Sequence, residues 1–100
     1  MADKQVVTVE EACSHIPIDE PTKEIKKIVE RLILVADQYL KGAIHSEYKK
    51  DDERARMVAL LIIEDLYMNR SLTEKDMKTN TRKLVSSMCL QMKAEMLKDG

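Results

Sequence analysis

The stretch RMVALLIIEDLYMNR, residues 56 to 70, holds seven consecutive apolar residues from Met57 to Ile63, then Glu64 and Asp65, then a Leu-Tyr-Met cluster. As a helix, residues 56 to 69 wind about four turns, so Val58 and Ile62 cannot share one narrow stripe with Met57, Leu60 and Leu61. A helix that is apolar on several faces must be covered on several faces. The cover comes either from its own domain or from a partner. A chain of 100 residues buries roughly two thirds of its unfolded surface, enough for a single domain with one modest core. Residues 1 to 100 therefore read as one domain.

The chain is 44% hydrophobic and 35% charged, with two Gly and two Pro. It is too apolar to stay disordered and too poor in turn residues for a β-sandwich, which leaves an all-α fold. With three Tyr and neither Phe nor Trp, its core must be filled by Leu, Ile, Val and the seven Met, which are flexible gap fillers. Lys plus Arg number 17 against 18 Asp plus Glu, so the balance makes no global case for nucleic acid or an anionic membrane. Cys13 and Cys89 stand far apart without a CxxC or Cys/His cluster, which reads as two reduced thiols and predicts neither a disulfide frame nor a metal site. The MADKQVV start lacks an apolar signal core, and the longest hydrophobic run is about a third of a membrane span. A soluble intracellular protein is expected.

Punctuation along the chain predicts four helices. Thr8 followed by Glu11 forms a capping box for a short helix from about Val9 to Ser14, and His15-Ile16-Pro17 then forces an extended bend. Asp19 is placed to cap the next helix, with Glu20 and Pro21 in its first turn. From Pro21 to Lys41 the residues Ile25, Ile28, Val29, Leu32, Val35, Ala36, Tyr39 and Leu40 follow helical spacing, and Gly42 occupies the position of a left-handed C-terminal cap. Ile33 and Leu34 fall off that stripe. The segment HSEYKKDDERAR reads as a polar connection with Asp51 or Asp52 capping the third helix, which runs to about Asn69, an end residue that tolerates left-handed geometry. Residues 71 to 80 read as a loop in which Thr73 and Asp76 could start a turn. A last helix from about Thr81 carries Leu84, Val85, Met88, Met92, Met96 and Leu97. The expected architecture is a small helical bundle with two long central helices.

Chemistry is sparse. His15 and His45 sit in or beside bends with no nucleophile arranged near them in sequence, and Glu64 and Asp65 point about a hundred degrees apart on a helix, so they cannot both aim at one substrate atom. Their expected work is to solvate one sector or pair with a neighbouring cation. The two glycines, Gly42 and Gly100, make no phosphate-cradling loop, and no cofactor is expected. Basic pairs such as Lys26-Lys27 and Lys49-Lys50 are interleaved with acids, as on solvated helix faces, and the connection from 42 to 51 is too long for a helix-turn-helix. No enzyme and no DNA reader is predicted. Stray Ile33 and Leu34, together with the greasy third helix, favour a partner surface.

Three ordered motifs carry a family resemblance. They are VVTVEEACSHIPID, then IKKIVERLILVADQYLKGA with a tyrosine near its end, then DERARMVALLIIEDLYMNR with its Tyr-x-Asn-Arg close. In this order the chain resembles the small head-tail connector proteins of tailed double-stranded DNA bacteriophages, often labelled possible DNA-packaging proteins. Members open with a short strand-like stretch, and many end in a short helix after Pro and Gly. Here the end is TNTRKLVSSMCLQMKAEMLKDG. The resemblance implies a homo-oligomeric ring beneath the portal protein that completes the head after DNA packaging, offers a surface to the tail or its stopper protein, and surrounds a channel for DNA. It implies assembly in the bacterial cytoplasm and residence at the head-tail junction of the virion, from a phage or a prophage. No membrane or small-molecule partner is implied. A ring uses heterologous interfaces, which would supply the all-round apolar helix with its second neighbour. The candidate subunit-interface residues are Ile33, Leu34, Met57, Leu60, Leu61, Tyr67, Asn69 and Arg70. The competing reading is a helical adaptor or regulatory module that holds a partner helix in a Met- and Leu-rich groove.

Overall fold

The computed structural model describes residues 5–16, 18, 20–69 and 77–99. Over these residues the chain forms four helices and no strand: α1 (Val9–His15), α2 (Lys23–Ala43), α3 (Glu53–Met68) and α4 (Thr79–Asp99). The fold is all-α. Helix α3 packs against all three others, and α2 also touches α1 and α4. The molecule is a flat slab of 43 × 36 × 18 Å.

The capping box opens α1 as expected. Thr8 Oγ1 accepts the Glu11 N–H at 3.1 Å and Glu11 Oε1 accepts the Thr8 N–H at 3.0 Å. Ahead of it, Val6 and Val7 are buried in the core without forming a strand. Helix α2 begins at Lys23, two residues later than the Pro21 start. Its cap is Thr22, whose hydroxyl accepts the Ile25 N–H at 3.2 Å. Thr22 satisfies the orphan donor that Asp19 was expected to take, and Asp19 itself lies outside the described residues.

Gly42 does not end α2. The helix runs on to Ala43, and Ile44 follows in right-handed geometry with its N–H bonded to the Leu40 carbonyl at 2.9 Å. The extra turn carries Ile44 into the core, where it is 5% exposed, and that burial outweighs the roughly 1 kcal/mol cost of a mid-helix glycine. The connection to α3 is not merely polar. Tyr48 is buried with Ile44, and two turns, Tyr48 N–H to His45 O and Asp52 N–H to Lys49 O, both 3.1 Å, bring the chain back. Asp52 caps α3, its Oδ1 accepting the Arg54 N–H at 2.9 Å. Asn69 closes α3 at φ −89° and ψ −1°, right-handed and not the left-handed cap expected of it. Of the loop expected over residues 71 to 80, residues 71–76, with the turn expected at Thr73 and Asp76, lie outside the described residues, and positions 79 and 80 are not loop but the first residues of α4.

The greasy α3 is largely covered by its own domain. Val58, Ala59, Ile62, Ile63 and Leu66 are fully buried, Leu60 and Leu61 pack partly against the same core, and Met57 and Met68 face out. From α2 come Val29, Leu32, Ile33, Ala36 and Leu40; from α4 come Val85, Cys89 and Met92. Ile33 is 1% exposed and belongs to this core, because α2 is flanked by more than one helix and its apolar face is wider than a two-body stripe.

Candidate interaction surface

Asp65 is the one buried charged side chain among the described residues. It follows Val58 and Ile62 at helical spacing, so it points inward with them. Its Oδ2 accepts the Lys78 N–H at 2.8 Å, and its Oδ1 accepts Asn69 Nδ2 at 3.0 Å. Lys78 immediately precedes α4, so a carboxylate on α3 satisfies a donor at the start of α4 and also favours its positive dipole end. This is why α4 starts at Thr79, two residues before Thr81. A carboxylate in register with an aliphatic core face was the available sequence signal for this tertiary cap. Reading Glu64 and Asp65 as a pair hid it.

Glu64 points the other way, with His15 Nε2 at 3.6 Å from its carboxylate. Arg56 on the same helix pairs with Glu11, so two contacts tie α1 to α3. Along the remaining outer face, positions 53, 57, 61, 64 and 68 recur at helical spacing. Met57 is 56% and Met68 64% exposed, Leu61 is half-buried between them, and the ionisable residues of the stripe, Glu53 and Glu64, are both acids. Leu34 on α2 is 59% exposed. Of the other sequence candidates, Tyr67 is half-buried against the core, Asn69 is exposed and bonded to Asp65, and Arg70 lies outside the described residues.

Between α4, the start of α3 and the connection from α2 lies a cleft of about 500 Å³. Ile44, Tyr48, Ala55 and Met92 form a buried floor, and Met96 and the exposed Leu97 form one wall. Arg54 spans the mouth between Asp52 and Glu95, joining α3 to the last turns of α4. Its hydrogen bonds hold the Asp52 carboxyl below the usual carboxylate range despite partial burial, and the two carboxylates raise the guanidinium in turn. Beneath, Tyr48 donates its hydroxyl to Asp37, which also pairs with Lys41 at 3.2 Å. Burial first, and then the Asp37 carboxylate, push the Tyr48 hydroxyl well above the ordinary tyrosine range. Lys49 and His45 complete the rim. His45 Nδ1 accepts the Glu47 N–H at 3.0 Å, and neither residue has an acidic partner among the described residues.

The described residues contain no group of three or more His, Cys, Asp or Glu that could hold a metal ion, and no helix among them is long and apolar enough to cross a membrane. Both cysteines are buried free thiols. Burial pushes Cys89 up to about 11 and raises Cys13, with nearby Lys26 opposing the Cys13 shift. Neither is poised as a nucleophile. Comparisons of the chain with models of known protein families, with curated proteins and with solved structures return no match.

Proposed function

We propose that this chain is a non-enzymatic subunit of a phage or prophage head-tail connector, forming a ring under the portal that completes the packaged head and receives the tail or its stopper protein. The observation that carries this reading is the ordered succession of three motifs, VVTVEEACSHIPID, IKKIVERLILVADQYLKGA and DERARMVALLIIEDLYMNR, over the first 70 residues. They fall on α1, α2 and α3, which pack on one another as one unit. Support also comes from large apolar side chains left outside a closed core, Leu34, Met57 and Met68 among them. Single exposed residues are ordinary, but repeated exposure at helical spacing on α3 suits a second protein surface. On this reading the chain works at the head-tail junction of the virion after assembling in the bacterial cytoplasm, and DNA meets it only in passing through the ring.

Light scattering coupled to size exclusion tests the proposal, over a wide concentration range with and without a purified portal ring. A discrete large oligomer, or stoichiometric capture by the portal, is the expected result. A monomer indifferent to portal at every concentration overturns it. A second reading, an adaptor that grips a partner helix, is favoured by the cleft walled by Met96 and Leu97, since flexible Met-rich surfaces re-pack around varied partners.

A further inference from the structure

Helix α4 changes character at Met92. Up to that residue its buried side chains, Val85, Cys89 and Met92, return at helical spacing and join the common core. Over 93 to 97 every side chain is exposed except the half-buried Met96. Residues 93–99, about two turns of the same helix, are therefore held by little apolar burial. They nevertheless stand at the cleft, where Met96 and Leu97 wall a floor of Ile44, Tyr48, Ala55 and Met92 that is itself buried.

A clamp ties this end of α4 down. Arg54 donates through Nη1 to Glu95, while Nη2 and Nε donate to the two carboxylate oxygens of Asp52 at 3.1 and 3.4 Å. Asp52 is fixed in turn as the N-cap of α3. The guanidinium is thus oriented from its own helix before it meets α4, which reduces the side-chain freedom lost when the contact to Glu95 closes. Both partners of that contact reach solvent, so it is weak and open to screening by salt. A weak fastener on a thinly buried helix end can open without disturbing the core.

We infer that residues 93–99 form a strap over the cleft, closed when Arg54 holds Glu95 and open when that contact breaks. Closure shields the apolar floor. Opening bares Met92 and its neighbours on the floor while α1, α2, α3 and the part of α4 up to Met92 stay packed. The strap is independent of whether the chain assembles into a ring, because it governs when the floor is accessible and not what then lies on it.

Native-state amide exchange on the full chain tests the strap. Arg54→Gln or Glu95→Gln alone should accelerate exchange at residues 96 to 99 about two- to fivefold, while residues 85 to 92 keep their protection. The double variant should exchange no faster than either single one, the signature of a coupled pair. Sodium chloride at about 1 M should reproduce the acceleration in the unsubstituted chain and change little in the variants. Methionine oxidation by dilute hydrogen peroxide is an independent readout, since Met92 is buried while the strap is closed and Met57 is exposed throughout. Sulfoxide formation at Met92 should rise in step with the exchange, and that at Met57 should stay constant. Unchanged rates in both single variants overturn the clamp. Acceleration that reaches residues 85 to 92 equally means that α4 opens as one piece, which overturns the strap. So does faster exchange at 96 to 99 with Met92 oxidation unchanged, because the helix end then frays and leaves the floor covered.

Discussion

Asp65 is buried on α3 and bonded to the residue that precedes α4. A carboxylate inside an aliphatic core survives only if its oxygens are satisfied, and here the Lys78 N–H and the Asn69 amide satisfy one each. The bond to Lys78 links α3 to the start of α4, so its loss is felt in two helices. Asp65→Ala should cost about 1–3 kcal/mol in urea unfolding, with amide exchange accelerated first at residues 79 to 82. Asp65→Asn, which keeps an acceptor but removes the charge, should cost less. A uniform loss of protection along the whole chain would show that Asp65 acts on the core and not on the cap.

At the scale of the element, α2 shows how burial overrides a stop signal. Gly42 stands within the helix in an exposed position, and a Cβ placed there would meet nothing within 4 Å. Gly42→Ala should therefore stabilise the protein by about 0.5–1 kcal/mol, through higher helix propensity and a less mobile unfolded chain. A denaturation midpoint that moved down would indicate that Gly42 adopts a conformation alanine resists. Helix α3 teaches the complementary lesson. Its apolar run was legible as a helix needing several neighbours, but the identity of those neighbours was not, because α1, α2 and α4 converge on it from distant parts of the chain.

For the whole molecule, pH reports how the termini of the elements are tied together. Asp52 has a folded-state pKa below its ordinary 3.8, so its contribution is present above that value and is lost as pH falls through the depressed folded value. Cys89 behaves oppositely. Its pKa rises from 9.0 to about 11 in the fold, so folding is unaffected below pH 9 and loses up to about 2–3 kcal/mol as pH climbs toward 11. Tyr48, raised beyond the tyrosine range, steepens the same limb from pH 10 upward. Urea midpoints should accordingly fall between pH 9 and 10.5, and Cys89→Ala should flatten the first part of that fall even though the cavity lowers its stability at neutral pH. An unchanged slope in Cys89→Ala would mean that the thiol is not shielded.

Local chemistry alone determined the all-α class, the capping box at Thr8 and Glu11, the period of α2 and an aspartate cap for α3 at Asp51 or Asp52, of which the structure uses Asp52, because each depends on residues within about one turn of one another. Tertiary structure alone decided that Ile33 is core while Leu34 is surface, that Tyr48 is buried in a segment that reads as polar, and that α2 passes Gly42. It also brought Asp65 to Lys78 and Arg54 to Glu95, pairs 13 and 41 positions apart. The physical reason is common to all of these. Periodicity states how much apolar surface an element must hide, whereas which side is hidden, and which distant polar group finds a partner, is settled only when the helices pack.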